Sequence, residues 1–526
     1  MSILIRNGRI SDGTGNPWYR GDVLVEAGRI AAVGRCLRSS AERIIDADGL
    51  VVAPGFIDIH SHSDTALLVS PWAESKIRQG VTTEVVGNCG ESLAPLAGEA
   101  VSEAAAELEE LGVELKWRSL GEYLNCLEER GTAVNVAALV GHGTLRKSVV
   151  GYRNRVPTEA ELGQMREMLA MAMSEGAFGL STGLIYAPGS YAKTDELIAM
   201  AAILPEYGGI YASHIRNEGK DLLAAVDEAI RIGREAGVPV QISHHKASSD
   251  IVWGKVKETC RMIEAARAGG LDVTADQYPY IATSTTLTAL LPDWAHDGGQ
   301  SALLARLRDS QLRAQLVDGI RSKRWHRDNW EQIVIASVGS ETNKKLEGKN
   351  LLEIAGLWDT TGPEVIIDLL AAEEGNVSMV VFAMCEEDVR YVMQQHFVMV
   401  GSDGSCLAPE GSLGQGKPHP RHYGTFPRVL GHYARNEAVI TLEDAVRKMT
   451  SLPARRLGIT DRGVLMPGMR ADITIFDPAT VIDTATFDDP HHYPDGVEYV
   501  IVNGQIGVEK GENKRIPAGQ ILRRQA

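Results

Sequence analysis

The chain opens with short apolar runs broken by glycine and aspartate: ILIRNGRI, DVLVEAGRIAAVG and RIIDADGLVVAPG each have strand length and turn punctuation. The same texture returns near the C-terminus in RGVLMPGMRADITIFDP and VEYVIVNGQIGV, where Asn503-Gly504 is a two-residue hairpin signal. The two ends are therefore expected to build one small β-sandwich domain from residues 1–52 and 455–526. Between them the period changes, and apolar runs of strand length alternate with helical segments, the order that produces parallel sheets and barrels. Leu222, Val226 and Ile230 recur on one helical face, Gly237 suits the cap after them, and Pro239 blocks continuation into VQISHH. Thr158 followed by Glu161 marks another helix start as a capping box.

Eight candidate strands follow in order: VVAPGFIDIHSH, VTTEVVGN, AVNVAALVGH, AFGLSTG, IYASHIRN, VPVQISHH, LDVTADQY and FVMVGSDG. They predict an α/β fold, a TIM-like (β/α)8 barrel over residues 53–454. The stretch from about 285 to 395 is too long for one crossover and carries strand-like WEQIVIASV and VSMVVFAM, so it reads as an insertion before the last strand. No short repeat is present beyond this alternation, which argues against a solenoid.

Composition narrows the class. At 526 residues, 44% hydrophobic and 23% charged, the chain is expected to fold as a large domain with a smaller one. It has no apolar run of membrane-spanning length, and MSILIRNGRISDG does not read as a secretory signal, so a soluble, cytoplasmic protein is expected. A net charge of -16 disfavours nucleic acid and anionic lipid and leaves a small-molecule substrate. Cys36, Cys89, Cys126, Cys260, Cys385 and Cys406 show no CxxC spacing, so disulfides are not expected and one thiol is free for another task.

The chemistry is concentrated at strand ends. His60 and His62 in GFIDIHSHSD lie two apart on a strand, point to one side and are able to share a metal. That pair alone decides nothing. Cys89 follows VVGN, His214 ends IYAS, His244 ends VQIS and Asp403 ends VMVGS, all at the carboxyl ends where barrel enzymes place their sites.

On these residues the sequence resembles the amidohydrolase superfamily, whose HxH after the first strand and Asp after the last match His60-Ser61-His62 and Asp403. The resemblance narrows to the N-acyl-D-amino-acid deacylases (D-aminoacylases) through APGFIDIHSHSD, GVTTEVVGNCG, GAFGLSTGLIYAPG, YASHIRNEG, ISHHKAS, DQYPYIATST, VGSDGS and HPRHYGTFPRVLG, from residue 53 to about 431. It implies zinc-dependent hydrolysis of the amide bond of N-acyl-D-amino acids. It further implies a tight zinc (Zn2+) site from Cys89, His214 and His244, a weaker neighbouring site from His60 and His62, and Asp403 as the proton carrier. Tyr186 resembles the tyrosine that helps polarise the carbonyl, and Lys246, Tyr278, Ser284 and Arg421 are implied at the substrate carboxylate, with Arg421 its natural bidentate partner. Many related enzymes bridge two metals with a carboxylated lysine, whereas this chain has Gly183 and Leu184 after the fourth strand and no lysine until Lys193. The Cys89 thiolate is expected to take that place, and His245 to face away in a structural or supporting role.

Two other functions compete: a cyclic-amide hydrolase of the hydantoinase or dihydroorotase kind, and an amidohydrolase-fold scaffold without catalysis. The absent lysine and GNCG argue against the first, the complete ligand set against the second. Members acting on acidic substrates are expected to place an arginine shortly after the DQYPY segment, where this chain reads TTLTALLPDWAHD. An apolar substrate side chain is therefore expected, with Leu287, Leu290, Leu291 and Trp294 either lining its pocket or forming the insertion's core, and His296 the one group able to replace the arginine.

Overall fold

Eight parallel strands form the expected barrel in the computed structural model, which describes residues 2–37, 39–323 and 329–524. They are Phe56–Asp58, Val81–Val86, Asn135–Ala138 with its continuation Val140–Gly141, Gly179–Gly183, Ile210–His214, Val240–Ile242, Val273–Gln277 and Val398–Val400. Nearly every residue in them is buried, because helices cover the outside and side chains fill the inside. The helix Leu222–Ala236 shows how the pattern works: Leu222, Val226 and Ile230 are buried, and Gly237 ends the helix in the left-handed conformation at φ 67°. Thr158 and Glu161 form the expected capping box at the start of Glu159–Ser174.

The ring closes between its first and last strands. Ser61 bridges Gly404 in parallel, the Asp403 N–H donates to the His60 carbonyl at 2.8 Å, and the His62 N–H donates to the Gly404 carbonyl at 3.0 Å. A fully buried charge cluster backs this seam. The Lys76 ammonium donates to Asp58 Oδ2 at 2.7 Å, Ser402 Oγ at 2.5 Å and the Gly404 carbonyl at 2.8 Å, tying the helix before the second strand to both sides of the closure.

Strands from both chain ends join in one nine-stranded sheet over a core that includes Ile3, Val23, Ile45, Ile473 and Ile501. Asn503-Gly504 makes the expected hairpin turn, both residues at positive φ (48° and 79°) between Val497–Val502 and Gln505–Glu509. Three boundaries differ from the sequence expectation. The first candidate strand is two: Val51–Pro54 belongs to the terminal sheet and Phe56–Asp58 to the barrel, with Gly55 between them, where a Cβ would meet Thr82 at 2.2 Å. The expected division near residue 455 falls inside the helix Ser451–Leu457. The C-terminal tail leaves the β-domain and returns to the barrel, Ile521 bridging Val136.

The insertion is a unit with its own core. Thr283–Thr286, Ile333–Val338 and Val377–Val381 form an antiparallel sheet, the last two strands being the expected WEQIVIASV and VSMVVFAM segments. The first strand arises inside the DQYPYIATST motif, a little before the expected start of the insertion. No helix among the described residues is long and apolar enough to cross a membrane.

One buried pair links the terminal sheet to the barrel. Arg462 Nε donates to Asp472 Oδ2 at 2.9 Å, and the same carboxylate accepts from Asn135 of the third barrel strand at 2.9 Å and from the Asn503 backbone at 2.6 Å. Arg462→Ala strands a buried carboxylate, so it is expected to lower stability by about 3 kcal/mol or more, read as a lower urea midpoint. A loss below about 1 kcal/mol would show that the pair does not carry this junction.

Candidate metal centre and active site

Cys89, His244 and Asp403 follow the second, sixth and eighth strands, and all three have left-handed backbones, at φ 51°, 35° and 50°. Each such non-glycine residue costs on the order of 1–3 kcal/mol, a strain that persists where the surrounding fold forces side chains to converge. They do converge. Cys89 Sγ lies 3.5 Å from His244 Nε2 and 3.3 Å from His60 Nε2, and His244 Nε2 lies 2.9 Å from His214 Nδ1. Asp403 Oδ1 is 3.2 Å from His60 Nε2 and 3.0 Å from His62 Nε2.

The donors of His60, Cys89, His244 and Asp403 all fall within 4.8 Å of one another, and those of His214, Glu218 and His244 form an overlapping set. Cys89 thus stands between the two halves the sequence pointed to, His214 with His244 on one side and His60 with His62 on the other. Protons cannot satisfy this many ring nitrogens aimed at one thiol, whereas a soft thiolate with several imidazoles and one carboxylate is a donor set that fits zinc.

The charges agree with that reading. Burial pushes the Cys89 thiol up, but the His60 and His244 imidazoles outweigh it and bring the group well below its usual range. Burial likewise opposes ionisation of Asp403, and the Arg421 guanidinium and His60 reverse it, leaving the carboxyl well below its ordinary value. His214 is shifted down by burial and by His244, whereas the neighbouring anions raise His60, His62 and His244 against their burial, so a bound cation takes the place of protons on those rings.

Two carboxylates that the sequence reading passed over set the rings. Glu218 Oε1 sits 3.0 Å from His244 Nδ1, and Asp276 Oδ1 sits 3.0 Å from His60 Nδ1 while also accepting the His244 backbone N–H at 2.8 Å. A carboxylate on the far nitrogen fixes a ligand's tautomer and direction. The signal was present, since Glu218 lies in YASHIRNEG and Asp276 in DQYPY, yet an acidic residue in a loop looks solvated until its burial is known.

The groups expected at a substrate carboxylate surround the next part of the cavity. Arg421 Nη1 is 2.7 Å from Asp403 Oδ2, a charge contact without hydrogen-bond geometry. Its Nη2 donates to the Ser284 carbonyl at 3.2 Å, and its buried Nε has no partner. The guanidinium lies over the Tyr278 ring, 5.0 Å from the centroid. Lys246 lines the same cavity, bonded to Glu218 and 2.7 Å from His244 Nδ1. Tyr186 packs edge-on to His214 with ring centroids 5.1 Å apart. His245 faces away, bonded to Thr259 at 2.8 Å, and burial brings its pKa down to about 4.

Metal centre and carboxylate groups open into one cavity of about 1760 Å³ that reaches the insertion. Leu287 and Leu291 are fully buried in the insertion's core and Trp294 is surface-exposed, so these three are not pocket lining. Leu290 does line the cavity, with Met379 and Val381 from the insertion sheet. His296 lines it too, but burial and Lys323 bring its pKa down to about 4.

The amidohydrolase family profile matches residues 43–342 and 398–508. The chain belongs to this family, on the branch of the N-acyl-D-amino-acid deacylases. It is 40% identical to a D-aminoacylase of Alcaligenes xylosoxydans xylosoxydans, over 100% of this chain and 98% of that one. It is 39% identical to an N-acyl-D-glutamate deacylase of the same organism, over 100% and 97%. Among solved structures, an N-acyl-D-glutamate deacylase from Bordetella bronchiseptica, complexed with zinc and a phosphonate mimic of the tetrahedral intermediate, superposes with a TM-score of 0.84 at 37% identity, covering 99% of both chains.

Within this amidohydrolase the fourth strand explains the absent lysine. A Cβ added to Gly183 would meet the Cys89 carbonyl at 2.0 Å, so the cysteine loop occupies the space a side chain there would need. The same loop that excludes a side chain at Gly183 carries the Cys89 thiol into the cluster of imidazoles.

Glu218→Gln should weaken the zinc affinity of the candidate Cys89–His214–His244 set about 10- to 100-fold, since the amide no longer holds His244 in one tautomer. Competition against a chelator measures this, and unchanged affinity would show that Glu218 does not orient the ring.

Proposed function

We propose that this chain hydrolyses the amide bond of N-acyl-D-amino acids, giving a D-amino acid and a carboxylic acid, with zinc held by Cys89, His214 and His244. The observation that carries the reading is the meeting, in one cavity, of a buried thiolate among imidazoles with an ionised aspartate and a buried arginine that has donors to spare. His60 and His62 form a second, weaker site beside Cys89, with Asp403 in contact with both rings.

Zinc, when bound, supplies Lewis acidity that polarises the acyl carbonyl and makes water nucleophilic at neutral pH. Asp403, ionised because Arg421 and His60 overcome its burial, accepts the proton of the attacking water. It then returns that proton to the amine nitrogen, which is too basic to leave as an anion. Tyr186, whose hydroxyl stays protonated because burial and the nearby Cys89 charge raise its pKa well above 10, donates a hydrogen bond to the carbonyl oxygen as negative charge develops. Arg421, held by the Ser284 carbonyl and steadied by the Tyr278 face, supplies the positive charge that binds the substrate carboxylate. Lys246 contributes field at that end rather than a free donor, because Glu218 already meets its charge.

The substrate side chain is apolar in this reading. Leu290, Met379 and Val381 line the insertion side of the cavity, His296 stays neutral, and Lys323 is paired with Asp293 at 2.8 Å. A cyclic-amide hydrolase is less consistent with Gly183 closing the position of a bridging lysine, and a scaffold has no use for strained ligands. Six free cysteines suit a reducing compartment, so we place the reaction in the cytoplasm.

Comparing kcat/KM for N-acetyl-D-leucine, N-acetyl-D-glutamate and N-acetyl-L-leucine tests the substrate. The D-leucine compound should exceed the glutamate compound by roughly a hundredfold, the consequence of a carboxylate entering a pocket without a partner, and the L-isomer should not turn over. Equal use of glutamate would remove the pocket argument, and efficient L-turnover the deacylase assignment.

Asp403→Asn should keep one zinc per chain and lose about 100-fold or more in kcat, because the amide can neither accept nor return the proton. Near-normal kcat would assign proton transfer elsewhere.

A further inference from the structure

The reaction centre is completed by a strand that does not belong to the barrel. Thr283–Thr286, the first strand of the insertion, is hydrogen-bonded on one side to Val377–Val381, with Thr285 opposite Met379, and its residues line the cavity. From there the Ser284 carbonyl holds Arg421, and Thr285 Oγ1 lies 2.9 Å from the Tyr186 hydroxyl. No other side-chain partner of that hydroxyl stands among the described contacts, while the Tyr186 ring is fixed edge-on to His214.

We infer that Thr285 is a positioning residue for the reaction, acting through Tyr186, an inference that rests on the role given to Tyr186 above. The hydrogen count sets the direction of the bond. A neutral tyrosine has one O–H proton, and it reaches the substrate carbonyl only if it is not spent on the threonine. Thr285 must therefore donate its own O–H to the Tyr186 oxygen, completing a chain from threonine to tyrosine to carbonyl. Bonds in such a chain reinforce one another: a hydroxyl that accepts one hydrogen bond donates the next more strongly. Thr285 thus aims the tyrosine and strengthens it at the moment charge develops on the carbonyl oxygen. It touches no reacting atom itself.

The test is a double-mutant cycle on the zinc-loaded enzyme with N-acetyl-D-leucine, using Thr285→Val, Thr285→Ser and Tyr186→Phe. Valine keeps the shape of threonine and removes the hydroxyl, so kcat should fall about five- to tenfold, the size of one neutral hydrogen bond, with KM and zinc content unchanged. Serine retains the hydroxyl and should restore most of the loss. In the Tyr186→Phe background Thr285→Val should cost nothing further, because the group it acts through is gone. Equal losses in both backgrounds would overturn the inference in favour of a structural role, as would a serine variant as slow as valine. A Tyr186→Phe enzyme with full kcat would instead remove the role of the tyrosine, and an undiminished Thr285→Val beside an impaired Tyr186→Phe would remove the threonine alone.

Discussion

The barrel closes through the backbone of its own candidate metal-binding residues. The hydrogen bonds that join the first strand to the last are those of His60, His62, Asp403 and Gly404, so the fold cannot close without setting HxH against the aspartate. Lys76 reinforces this from beneath, binding Asp58 and the 402–404 turn in a place with no solvent access, where its charge is tolerable only because carboxylates and carbonyls surround it. The charged cluster thereby belongs to the site's geometry although none of it faces the cavity.

Electrostatics in the centre is a contest between burial and neighbours. Desolvation opposes ionisation of Cys89 and Asp403, and in each case a specific partner reverses it: His60 and His244 for the thiol, Arg421 and His60 for the carboxyl. His60 serves both and is itself oriented by Asp276. The two anions, to which the proposed reading gives metal binding and proton transfer, are kept charged by neighbours they share, which makes the site a unit rather than a sum of residues.

The insertion adds what the barrel does not provide. Its core is separate from that of the barrel, yet its first strand reaches Arg421 and Tyr186 from the far side of the cavity, and its sheet lines that side with hydroxyl residues beside Met379 and Val381. In the proposed reading, substrate recognition depends on how two separately packed cores meet.

Much of this was legible in the sequence. The change of hydrophobic period located the barrel strands and the terminal β-domain, because alternation and helical spacing are properties of neighbours along the chain. The HxH pair, Cys89, His214, His244 and Asp403 stood out because ligands at successive strand ends share one rim of a barrel whatever the loops do. What only the tertiary structure decided depends on contacts distant in sequence. One apparent strand divides between two sheets at Gly55, where Thr82 leaves no room for a Cβ, and the tail from Gly519 to Arg524 joins the barrel. Leu287 and Leu291 turned inward while Leu290 met the cavity, a choice made by the insertion's own packing. Glu218, Asp276 and Lys76 gained their roles only through burial, which turns an ordinary charge into one that must be paired and so must point somewhere definite.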